Sequence, residues 1–112
     1  MKTAFGVALF CAAMGATPVF AAEAVPKTLA ESDKLTVLDV VEKPGDTGPM
    51  ATRLGQVIHV ISGGTFERTF ADGTKQTVQR KDGETALIKE KRPYSVRNAG
   101  TTTIHLIEII PK

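Results

Sequence analysis

GQVIHVISGGTFERTFADG, residues 55–73, decides how this chain is read. In its first half Ile58 and Val60 alternate with Val57, His59 and Ile61, the period-two pattern of a strand. TFERTF (65–70) alternates again, apolar against polar. The paired glycines between them, Gly63 and Gly64, suit a tight reversal, because glycine accepts positive φ at low cost. Ala71-Asp72-Gly73 signals a second turn.

The same pattern extends in both directions. LTVLDVV (35–41) is short and rich in β-branched residues, and EKPGDTGP (42–49) breaks it with two prolines and two glycines. MATRL (50–54), TKQTVQR (74–80), ETALIKE (84–90) and YSVRN (94–98) read as further strands, with turns at Lys81-Asp82-Gly83 and Asn98-Ala99-Gly100. TTIHLIEII (102–110) is apolar on both faces, which predicts burial between layers or at an interface. Seven or eight short strands with almost no helical periodicity predict one all-β domain over residues 35–112, an antiparallel barrel or sandwich. Residues 22–34 read as an N-terminal arm or linker, with one helical turn around TLAESD (28–33).

Residues 1–21 read as a signal peptide. Lys2 precedes the uncharged stretch AFGVALFCAAMGA, and Val19 and Ala21 have the small-residue spacing of a cleavage site after Ala21. The apolar run is shorter than the roughly 20 residues that span a bilayer, so no stable membrane span is expected once it is removed. The expected destination is periplasmic or secreted. Cleavage also removes the one cysteine, Cys11, leaving a small exported domain without disulfides. The formal net charge is +2, with acids and bases mixed along the chain. No basic run is present to track a phosphate backbone, so no nucleic-acid partner is expected.

The glycines and the Asn98 turn carry a resemblance. Counted from Gly83, the spacing of the second cupin motif reaches Lys89, Lys91, Tyr94 and Asn98, with Tyr94 where that family has a histidine. The first motif, anchored on Gly63, places Met50 and Thr52 at its two histidines and Gln56 at its glutamate, and Gly45 only approximates its opening glycine. The chain thus resembles a small single-domain cupin, and more narrowly the BauB-type beta-alanine degradation proteins. The resemblance implies a cupin-like antiparallel jelly-roll β-barrel in which the usual metal ligands are replaced. A thioether, two neutral oxygen donors and a phenol do not suit iron, manganese or zinc, so neither a metal nor another cofactor is expected. Copper(I) joining Met50 to a histidine is the metal alternative. His59 and His105 both lie in apolar strands, as hydrogen-bonded structural or interface residues.

By period-two alternation Met50, Thr52, Gln56, Ile58, Tyr94 and Val96 share the barrel interior and form the candidate ligand pocket. The bland alternative is that these side chains simply fill the core. Arg53 or Arg97 at the mouth would receive a carboxylate, making a small organic carboxylate the expected partner. No catalytic residues are assigned. The functional expectation is an exported, metal-free, small-molecule binding or accessory protein. A cupin dioxygenase or isomerase with an unconventional site, and a structural or protein-interaction module, are the alternatives. His59, Ile61, Ile104, Leu106 and Ile110 suggest an apolar face that joins two copies as a homodimer.

Overall fold

The computed structural model describes residues 22–112, so the expected signal segment lies outside it. Among the described residues the elements are β1 (Lys27–Glu31), β2 (Leu35–Glu42), β3 (Thr47–Ala51), β4 (Val57–Ser62), β5 (Gly64–Phe70), β6 (Lys75–Arg80), β7 (Thr85–Leu87), β8 (Tyr94–Asn98) and β9 (Ile104–Pro111). They form two sheets, a five-stranded one in the order β1-β2-β9-β4-β7 and a four-stranded one in the order β3-β8-β5-β6. The strand pairs are antiparallel.

The core follows from register. β9 is central, pairing with β2 on one side and β4 on the other, so Leu106 stands between Val40 and Val60 on one inner row. Those three, with Ile58, Phe66, Ile88 and Ile104, make the buried cluster. Phe66 comes from the facing sheet, and Val78 and Val96 of that sheet pack against the cluster. Burying a side chain of this size is worth about 1.5–3 kcal/mol.

Two local expectations change. TLAESD is not helical: Thr28 to Glu31 lie in β1, which pairs with β2 through Thr28↔Leu38 and Glu31↔Thr36. Edge pairing supplies backbone partners that one exposed helical turn lacks. Nor do Gly63 and Gly64 make a tight reversal. β4 and β5 belong to different sheets, and neither glycine has positive φ; Gly45, Gly55, Gly73 and Gly83 do.

The paired glycines instead permit close passage where the chain crosses between sheets. A Cβ on Gly63 would meet the backbone of Arg80 and Lys81, coming within 2.8 Å of the Arg80 carbonyl carbon. On Gly64 it would lie 2.9 Å from Ile104 Cγ1. The Gly63 amide donates to Asp82 Oδ1 at 2.6 Å, tying this crossing to the one between β6 and β7. Gly63→Ala is therefore expected to cost about 2 kcal/mol, since backbone rather than a flexible side chain must yield. Urea unfolding checks this, with Gly73→Ala as the comparison: that glycine has open space around it and should cost about 1 kcal/mol, from positive φ alone.

Candidate functional site

The two sheets enclose a cavity of about 350 Å³, within the size range of small-ligand sites. Its apolar wall includes Val40, Ile58, Phe66, Ile88, Val96 and Leu106. Of the six residues the sequence nominated, Gln56, Ile58, Tyr94 and Val96 line it. Met50 and Thr52 do not: both are exposed, and Ala51 and Arg53 stand on the wall instead. A bulge causes the change. β3 pairs Gly48 with Val96 and then Ala51 with Tyr94, so β3 spends one more residue than β8 between the two pairs. That extra residue inverts the alternation beyond Gly48. Pro49 lies within the bulge, a position where its missing N–H breaks no ladder.

Tyr94 is almost fully buried and packs edge-on against Phe70, their ring centroids 5.9 Å apart. The guanidinium groups of Arg53 and Arg68 lie over its ring, 4.8 and 4.5 Å from the centroid. Arg53 is further fixed by donating to the carbonyls of Pro49 (2.7 Å), Ala51 (3.3 Å) and Tyr94. Arg68 donates to Gln76 Oε1 at 3.0 Å, and Arg80 is ion-paired with Glu84 at 3.1 Å. Arg97, the other nominated mouth arginine, is exposed on β8 and pairs with Glu67 at 3.3 Å, away from the cavity wall.

The residues that sequence reasoning missed are two carboxylates. Glu42 ends β2 and Glu108 lies in β9, and both line the cavity. Glu42 is 5% exposed, and its Oε1 is buried without a hydrogen-bond partner. Burial pushes the Glu42 carboxyl up to about 7; the negative charges of Glu108 and Asp46 push the same way, and Arg53 opposes them. Burial also raises Glu108, again against Arg53. Period-two alternation from Val40 points Glu42 inward, and from Leu106 it points Glu108 inward. In the sequence Glu42 adjoins the glycine- and proline-rich loop that follows it, and Glu108 lies in a strand apolar on both faces, so neither stands out.

The histidines lie on the opposite face of the five-stranded sheet. His59 Nδ1 is 2.8 Å from Thr85 Oγ1, and His105 Nε2 is 2.6 Å from Asp39 Oδ1. Ile104, Leu106 and Ile110, expected on the apolar outer face, lie on the inner one, the first two buried in the core and Ile110 on the cavity wall. His105, Ile107 and Ile109 occupy the outward positions of β9, because the outer face takes the odd-numbered residues of this strand. Among the described residues no three His, Cys, Asp or Glu side chains gather as a metal-holding group. No helix among them is long and apolar enough to cross a membrane.

Similar architecture occurs in solved structures. A cupin domain from Bordetella pertussis Tohama I superposes with a TM-score of 0.73 at 19% identity, covering 85% of this chain and 99% of that one. An RmlC-like cupin family protein from Methanocaldococcus jannaschii, with a double-stranded β-helix fold, gives 0.60 at 15% identity, covering 81% and 82%. An uncharacterized conserved protein with a double-stranded β-helix domain, from Klebsiella pneumoniae, gives 0.58 at 22% identity, covering 80% and 76%. No family model and no curated protein matches the sequence. The likeness is one of fold: two antiparallel sheets in a cupin-like jelly roll.

Proposed function

We propose that this chain is a non-catalytic binding or accessory protein whose barrel cavity holds one small organic molecule. One observation carries the reading. A cavity walled by both sheets keeps a buried carboxylate oxygen, Glu42 Oε1, without a partner from the protein. Native structures rarely leave such an atom unpaired, and a small turn of the Glu42 carboxyl toward the cavity would let a ligand donor satisfy it.

The narrower resemblance to BauB-type proteins belongs to this proposal, as do the replaced metal ligands, the signal peptide and a periplasmic or secreted destination. So does a homodimer joined through the outer face of the five-stranded sheet. There Val41, Ile61 and Leu87 are 44%, 44% and 55% exposed, and a second copy would cover them.

Native mass spectrometry of untagged protein from its own host tests the reading. The expected spectrum shows the chain with one discrete non-covalent adduct of small-molecule mass. Ala51→Trp, which extends a ring from the cavity wall, should lose that adduct while keeping its β-type circular dichroism. Bare protein in every preparation contradicts the reading.

A further inference from the structure

We infer that the molecule held in this cavity is a small aliphatic ammonium ion, its nitrogen donating to Glu42 and its chain lying along Val40, Ile58 and Leu106. This rests on the reading of the cavity as a ligand site and names the class of ligand.

What the protein leaves unmet selects that class. Three acids and three arginines line the cavity, namely Glu23, Glu42 and Glu108 with Arg53, Arg68 and Arg80. The arginines are already engaged: Arg53 by three carbonyls, Arg68 by Gln76 and the Tyr94 ring, and Arg80 by Glu84. A carboxylate ligand would have to compete with those partners, although among the described residues Arg80 alone of the three is in an ion pair. The acids stand differently. Among the described residues ion pairs involve Glu31, Glu67, Glu84 and Glu90, but neither Glu42 nor Glu108. Glu42 Oε1 accepts no hydrogen bond from the protein, although the residue is only 5% exposed.

The group that complements this part of the wall is therefore a donor. A hydroxyl would fill the hydrogen bond but add nothing to the one positive charge, that of Arg53, which bears on Glu42. A primary ammonium supplies both, with three N–H donors in a compact head. Glu108 strengthens the preference by adding a second negative charge to the same cavity, and its field is felt at Glu42. The rest of the site is apolar, which suits an alkyl chain.

Binding should follow the ionisation of Glu42, whose carboxyl lies at about 7. The charged groups that bear on it are Glu108 on β9, Asp46 in the β2–β3 turn and Arg53 after β3, with Glu23, Arg68 and Arg80 elsewhere on the wall. An alkylammonium stays protonated well above pH 8, as lysine does. Its affinity should rise about tenfold from pH 6 to pH 8 as Glu42 ionises.

The test is a methyl-resolved NMR titration with three probes of equal chain length, n-butylammonium, 1-butanol and butyrate. At pH 8 the ammonium is expected to shift the Ile58 and Leu106 methyls saturably, and to bind at least tenfold more tightly than either other probe. Glu42→Gln should remove that tenfold while leaving 1-butanol within twofold. Glu108→Gln, a second variant with Glu42 intact, should weaken the ammonium by a smaller factor. The methyl spectrum of each free variant confirms its fold. Equal binding of 1-butanol, or tighter binding of butyrate, overturns the ammonium assignment and leaves the cavity a ligand site. No saturable shift with any probe overturns both.

Discussion

Asn98→Ala is expected to cost about 4 kcal/mol of unfolding free energy, from three hydrogen bonds broken at a site closed to water. Asn98 is 1% exposed. Its Nδ2 donates to the carbonyls of Glu42 and Thr102, each at 2.8 Å, and its Oδ1 accepts from the Gly100 amide at 3.0 Å. Its own backbone holds the β2–β3 turn, accepting from the Gly45 amide and donating to the Asp46 carbonyl, both at 2.9 Å. One side chain thus joins the end of β2, the end of β8 and the approach to β9. Alanine leaves two carbonyls and an amide to find other partners. Asn98→Asp should not rescue stability, because a carboxylate cannot donate to either carbonyl. Urea unfolding at pH 7 measures both variants, and a loss below about 1 kcal/mol would contradict the role assigned to this residue.

The second large effect is a stability that falls as pH rises. Glu42 is raised in the folded protein from an ordinary 4.5 to about 7, so folding favours its protonated form. Between those values the folded chain binds a proton that the unfolded chain has released, and stability decreases with pH. The contribution is present in full below about 4.5 and is gone once pH has passed 7. Unfolding free energy at pH 5 should exceed that at pH 8 by about 2–3 kcal/mol in the wild-type chain, and this part of the difference should vanish in Glu42→Gln. Comparing the two proteins isolates Glu42 from other titrating groups. Glu108 is raised as well and works in the same direction. The exposed acids Glu31 and Asp72 and the half-buried Glu84 and Glu90 are lowered by hydrogen bonds. Their stabilisation is present above the ordinary carboxylate range and is lost as pH falls through their lowered values, which lies on the acid side of the Glu42 window.

These two residues differ in how legible they are. Asn98 closes a strand and opens an Asn-x-Gly turn, so a local pattern identifies it before any fold is known. Most strands are legible for the same reason, because alternation and turn residues are local. Which strands pair is not a local property. Gly63-Gly64 reads equally well as a hairpin turn or as a crossing, and only the backbone of Arg80 and Lys81 behind Gly63 decides. Site residues depend on parity, and parity depends on bulges. One extra residue after Gly48 exchanged Met50 and Thr52 for Ala51 and Arg53, whereas Gln56, Ile58, Tyr94 and Val96 lie on the wall where alternation set them. Glu42 was hidden by its neighbours in sequence. It ends a strand beside Lys43-Pro44-Gly45, and its burial depends on pairing with Ile104, far along the chain.

The most direct test is the titration of the Glu42 side-chain carboxyl, followed by its 13C resonance with and without saturating n-butylammonium. The free protein should titrate at about 7, and the midpoint should drop by a unit or more when the ammonium is bound, because a cationic donor favours the ionised form. A midpoint near 4.5 in the free protein, unmoved by the ammonium, would mean that Glu42 is solvated and already satisfied, and the account of this cavity as a site awaiting a donor would fail.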